Sequence, residues 1–139
     1  MRDLHNNIKT VASILSVVGN NDTEGTGAAV DLAGFESAEL IFNVGQSGDT
    51  LSGSVYIELY LQESADGSTG WAAPAAADIL GTNGVLIDAA AEDEVVVKIG
   101  YQGSKRYIRA FVDFTGTHTN GIPISATAIL GHAHHAPVA

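Results

Sequence analysis

Hydrophobic and polar residues alternate most regularly over residues 54–71, Ser-Val-Tyr-Ile-Glu-Leu-Tyr-Leu-Gln-Glu-Ser-Ala-Asp-Gly-Ser-Thr-Gly-Trp. Val55, Ile57, Leu59 and Leu61 share one parity, and Ser54, Tyr56, Glu58, Tyr60 and Gln62 share the other. A period of two places one set in a core and the other in water, so this stretch predicts a half-buried strand. It ends at Ala65-Asp66-Gly67-Ser68, where Asp and Gly supply the backbone conformations of a tight turn.

The same alternation recurs along the chain. Ala38, Leu40, Phe42 and Val44 form one apolar face, and Val95, Val97, Ile99 and Tyr101 a second. Ile108, Ala110, Val112 and Phe114 form a third, opposite Tyr107, Arg109, Phe111 and Asp113. Ile122, Ile124, Ala126, Ala128 and Leu130 make the last strand, where Pro123 predicts an edge or a first position. Shorter strands are expected at residues 28–32, 77–80 and 85–88, and residues 89–93 read as a loop. Residues 8–18 fit two templates. Ile8, Val11, Ala12, Leu15 and Val18 match a helical face, whereas the β-branched content favours a strand, the assignment adopted here. Seven to nine short strands separated by Gly-, Asp- and Asn-rich turns predict an all-β chain. The expected fold is a single antiparallel β-sandwich of jelly-roll type. Residues 1–7 form an expected N-terminal arm, and residues 131–139 an aperiodic C-terminal tail.

Composition narrows the chemistry. The 139 residues suffice for one domain with its own core. A net charge of −10 disfavours direct contact with phosphate backbones and favours a basic partner surface. Lys105, Arg106 and Arg109 concentrate half of the six basic side chains. The absence of cysteine fits a reducing cytoplasm and excludes thiolate metal sites. No apolar run approaches the roughly 20 residues of a spanning helix, and the polar N-terminus is not expected to be a signal peptide.

Three constellations carry candidate chemistry. His132, His134 and His135 lie close enough to chelate a metal, but no acidic residue accompanies them, so the tail is expected to dock on a neighbour without metal. Asn20-Asn21-Asp22-Thr23-Glu24-Gly25 partly mimics a calcium loop, with Asp31 at the twelfth position. It lacks the leading Asp, the closing Glu and both helices, and reads as an acidic surface loop. Tyr56, Tyr60 and Trp71 can form an aromatic surface, the two tyrosines ~13 Å apart along a strand. No nucleophile, phosphate-loop or metalloprotease motif is present, and Glu92-Asp93-Glu94 reads as a solvated turn. The chain is therefore expected to bind rather than catalyse, with no cofactor.

Three further segments stand out along the chain. They are Met1-Arg2-Asp3-Leu4-His5-Asn6-Asn7-Ile8, then Leu61-Gln62-Glu63-Ser64-Ala65-Asp66-Gly67-Ser68-Thr69 ahead of Trp71. The third is Val97-Lys98-Ile99-Gly100-Tyr101-Gln102-Gly103-Ser104-Lys105-Arg106-Tyr107-Ile108-Arg109, followed by the tail from Gly131 to Val138. Together these segments resemble small virion structural proteins of tailed bacteriophages and prophage elements, and the resemblance is greatest to capsid decoration, or cement, proteins. It implies a protein made in the bacterial cytoplasm that binds the major capsid protein on the outer shell as a homo-oligomer, with a trimer favoured. On that reading Arg2, Asp3, Leu4, His5, His132, His134, His135 and Pro137 are the expected capsid or intersubunit contacts, with Lys105, Arg106 and Arg109 as secondary candidates. Another virion role, at the head–tail joint, tail or head spike, is the alternative. A carbohydrate-binding module that contacts host glycans through Tyr56, Tyr60 and Trp71 is the rival from a different class.

Overall fold

The computed structural model describes residues 2–138. Met1 and Ala139, the outermost residues of the expected arm and tail, lie outside them. The described residues form nine strands and one 3-10 turn: β1 (Lys9–Gly19), β2 (Val30–Asp31), β3 (Phe35–Val44), β4 (Tyr56–Ser64), β5 (Ile79–Leu80), β6 (Val85–Ile87), β7 (Val95–Tyr101), β8 (Tyr107–Thr115) and β9 (Ile122–Ala133), with the turn at Ala76–Asp78 before β5. One sheet has the order β1-β9-β3-β7-β5 and the other β2-β8-β4-β6. All pairings are antiparallel. The chain is an all-β sandwich, and successive strands alternate between its two sheets.

The inward parity of each strand is the one its alternation predicts. Leu40, Phe42, Ile57, Leu59, Leu61, Ile99, Ile108, Val112, Ile122 and Leu130 are at most 1% exposed and form one core between the sheets. Ala110, Ala126 and Ala128 sit among them, fully buried. The small residues let the sheets approach while the large ones fill the space between, the dense packing that a sandwich core requires.

Departures from the expected elements have local causes. The segment 8–18 is a strand, and β1 carries two register shifts, between Ala12 and Ile14 and between Ile14 and Val17. Val11, Ile14 and Val17 face Ala128, Ala126 and Ile124, so an inward step of two on β9 matches a step of three on β1. Bulges of this kind insert unpaired residues, and here they imitate the spacing of a helical face. Ser13 occupies the first shift, 5% exposed, where its hydroxyl donates to Ala28 O and accepts from Ala110 N, both at 2.9 Å. This one side chain joins the two sheets.

Pro123 is the second residue of β9, a strand flanked on both sides by β1 and β3, so it does not mark an edge. Its side chain sits beside Gly45, whose own N–H bonds the Pro123 carbonyl at 2.8 Å. The short strands are shorter than expected because turns consume their ends. Residues 76–78 close the 3-10 turn before β5, and Ala33 N–H bonds the Asp31 carboxylate just after β2. The Asp-Gly turn forms as predicted. Asp66 accepts the Thr69 hydroxyl at 2.6 Å and the N–H groups of Thr69 and Ser68 at 2.8 and 2.9 Å, and those bonds, in that order, hold its carboxyl far below the usual range. Gly67 has φ +76, and a Cβ there would meet the Tyr107 ring at 2.9 Å.

Candidate functional site

Antiparallel register brings the start of β1 and β3, the end of β7 and β9, and the start of β8 to one pole of the sandwich. There Phe35 pairs with Ala133, Ala38 with Tyr101, and Lys9 with Leu130. Both chain ends and the basic loop at residues 102–106 therefore meet at this pole.

The tail is partly strand. Gly131, His132 and Ala133 belong to β9, which corrects the expectation that residues 131–139 lie wholly outside the ladder. His132 has φ +51, a left-handed conformation one residue before the strand ends at Ala133, and its Nδ1 lies 2.8 Å from Ser37 Oγ. The chain then folds back. His134 donates its backbone N–H to Gly34 O at 2.9 Å, and its Nε2 lies 2.7 Å from Glu36 Oε1. Val138 N–H bonds Asn6 O at 3.0 Å and so closes the C-terminus on the N-terminus. His135 and Pro137 stay exposed between these anchors.

The N-terminal segment is a compact turn rather than an extended arm. The Asp3 carboxylate accepts the Asn6 side-chain N–H at 2.7 Å and the Asn6 backbone N–H at 3.0 Å, in that order the reasons its pKa falls below the ordinary value. Asn7 N–H bonds Leu4 O at 3.1 Å. This turn leaves Arg2 and His5 exposed and presents Leu4 to solvent at 66%.

The basic loop is held from beneath. Tyr101 OH donates to Glu63 Oε2 at 2.6 Å and accepts Lys105 N–H at 2.9 Å, linking the two sheets under the loop. Burial, then the Glu63 carboxylate, push the Tyr101 phenol well above its ordinary pKa. Arg106 grips Asp31 with two parallel bonds of 2.9 and 2.8 Å and lies over the Tyr107 ring. Between the loop, residues 32–38 and His134 runs an open groove of about 490 Å³. An adjoining groove of about 750 Å³ is lined by Asn7, Ile8, Leu80, Ile129, His132 and Ala136, among others. Among the described residues no three His, Cys, Asp or Glu side chains gather as ligands for a metal.

Arg109 is not at this pole. It projects from the outer face of the four-stranded sheet, donates to Gln62 Oε1 at 2.9 Å and lies 4.4 Å from the centre of the Trp71 ring. The cluster of basic residues legible in the sequence is therefore split, with Arg106 ion-paired and Arg109 under an aromatic ring. Tyr56 and Tyr60 share that outer face with Trp71, but each ring except Tyr56 has a partner within the chain. Tyr60 packs against Phe111 at 6.5 Å and donates to Glu58. Sequence parity alone places Phe111 outward, while its pairing with Tyr60 follows from the β4–β8 register. The calcium-loop mimic spends its oxygens on the backbone. Asp22 caps Phe114 N–H, Glu24 caps Asn20 N–H, and Asn21 caps Thr23 N–H. Asp93 of the acidic triplet is buried and accepts Ser47 N–H at 2.9 Å.

No known protein family matches the chain, and no curated protein matches it.

Proposed function

We propose that this chain is a bacteriophage capsid decoration protein that binds the outside of a shell of major capsid protein through the pole where its two ends meet. The observation that carries the reading is that meeting. The terminal segments that resemble decoration proteins lie at opposite ends of the sequence yet hydrogen-bond to each other through Asn6 and Val138, beside the basic loop of the third segment. Arg2, Leu4, His5, Lys105, His135 and Pro137 form an exposed set around that contact. With Arg2, Lys9, Lys105 and Arg106 beside Asp3, Asp31, Glu36 and Glu63, this end is near charge balance on a chain of net charge −10, which gives the molecule a polarity suited to docking in one orientation.

The strand order also supports this reading. With the two-residue β5 set aside, each sheet has four strands and every connection except that from β4 to β6 crosses between sheets, which favours a jelly roll, an architecture of viral capsid and lectin domains. In this role the domain performs no reaction. Many copies each add a modest contact area, and the shell gains through multiplicity. The glycan reading stands second, since Trp71 and Tyr60 already have intrachain partners.

The test is co-sedimentation with purified empty shells. Removal of residues 134–139 leaves β9 complete, so the truncated domain stays folded by circular dichroism and loses shell occupancy. Full occupancy by the folded truncation overturns the assignment, and binding to a glycan array but not to shells replaces it.

A further inference from the structure

We infer that the outer face of the five-stranded sheet is the surface on which a second copy of this chain docks, face to face across a two-fold axis. This goes beyond shell binding and does not depend on it.

The face is built from the outward positions of β1, β9, β3, β7 and β5. Register aligns Thr10 with Ile129, Ala12 with Thr127, Val18 with Pro123, Ile41 with Lys98 and Asn43 with Val96. Val96, Leu80 and Val18 are 65%, 55% and 55% exposed, so the aliphatic side chains stand in water with nothing over them. Most other positions are Thr, Ser, Ala or Asn, short side chains that keep the face even. The opposite outer face is different, carrying Glu58, Arg109 and Asp113 among its aromatic rings.

Charge selects the occupant. The chain carries 16 acidic and 6 basic side chains, yet this face holds only Glu39 and Lys98. They have opposite signs, lie on neighbouring strands, and neither forms an ion pair among the described residues. A two-fold axis between them sets Glu39 of each copy against Lys98 of the other, a self-complementary pattern that no second protein has to supply. The remaining charge, −10 in total, lies on other faces and opposes other modes of association.

Size and edges agree. Five strands span roughly 20 Å and ten residues extend roughly 33 Å, a footprint of about 600 Å² before side-chain relief is counted. Stable interfaces take about 800 Å² from each partner, and exposed patches of several hundred Å² mark interaction sites. Edge-to-edge pairing is obstructed, because β1 is bulged and β5, β2 and β6 are two or three residues long. Face packing is the route left open, as in the aligned packing of two sheets.

Sedimentation velocity of the full chain over a range of concentrations tests the inference. The wild type sediments as a dimer in the micromolar range. Val96→Asp and Val18→Asp each weaken association at least tenfold, while Leu86→Asp on the opposite sheet leaves it unchanged. Glu39→Lys and Lys98→Glu each weaken it, and the double reversal restores it. All five positions lie outside the core, and circular dichroism confirms that each variant is folded. A wild-type monomer at 200 µM, or an oligomer of any size indifferent to Val96→Asp and Val18→Asp, overturns the inference.

Discussion

The side-chain amide of Asn83 bonds both backbone groups of Leu61: Leu61 N–H donates to Asn83 Oδ1 at 2.7 Å, and Asn83 Nδ2 donates to Leu61 O at 3.1 Å. Asn83 thereby acts as one residue of a missing strand. Beside it β6 pairs with residues 57–59 of β4, and beyond it Ala72 pairs with Glu63. The gap between those pairings would otherwise leave the backbone of a fully buried residue open at the edge.

Replacing Asn83 with Ala removes both partners at once. A buried or half-buried backbone group left unpaired costs about 1–3 kcal/mol, so Asn83→Ala is expected to lose about 2 kcal/mol or more in urea unfolding. Asn83→Asp keeps the acceptor for Leu61 N–H but sets a carboxylate oxygen against Leu61 O, and is expected to be no better than Ala at neutral pH. Full stability in both variants would show that water replaces the amide at no cost.

The Asn83 contact also shows where sequence patterning stops. Alternation is a local property, and it reports the parity of every long strand except β1 because the inner face of a sandwich is dry. The identity of cross-strand neighbours depends on register, so Asn83 beside Leu61 and Arg109 beneath Trp71 were not legible. β1 is the intermediate case. Its two bulges turn an inward period of two into steps of three, and only the β-branched content distinguishes the result from a helix. At the terminal pole the candidate contacts were legible as segments. Their convergence was not, because it needs β9 to run antiparallel to both β1 and β3.

Acid should separate two carboxylates of opposite character. Hydrogen bonds from Arg106, then from Ala33 N–H, lower Asp31 from 3.8 to about 2. A depressed folded pKa means that the stabilisation is complete above the unfolded value and disappears as pH falls through about 2. The stability gap between wild type and Asp31→Asn should therefore be constant from pH 7 to about 5 and close between about 4 and 2. Exposure of both partners keeps the gap small. Asp113 behaves in the reverse sense. Burial, then Asp22 and Glu58, raise its pKa, so its ionised form opposes folding. Asp113→Asn should stabilise the fold at neutral pH, with the gain vanishing once acid protonates the wild-type carboxyl. Thermal melts across this pH range check both signs, and a gap for either variant that keeps its full size at pH 2 contradicts the charge assignment.

Trp71 is the single tryptophan of the chain, and it lies over a guanidinium, so its emission is sensitive to that contact. A stacked cation on an aromatic face contributes about 0.5–1 kcal/mol at a half-exposed site. Arg109→Ala removes the stack and the bond to Gln62, which frees the ring to turn towards water. The expected result is a red-shifted emission maximum with a stability loss of about 1 kcal/mol. Arg109→Lys keeps the charge but not the planar guanidinium over the ring, and should recover only part of the emission. If Trp71 instead serves as a docking surface for sugar, Arg109→Ala would abolish glycan binding along with the stack. If it serves to cover the outer face of β4 and β8, shell binding through the opposite terminal segments persists in Arg109→Ala while the spectrum changes. Measuring both on the same variant separates covering from recognition.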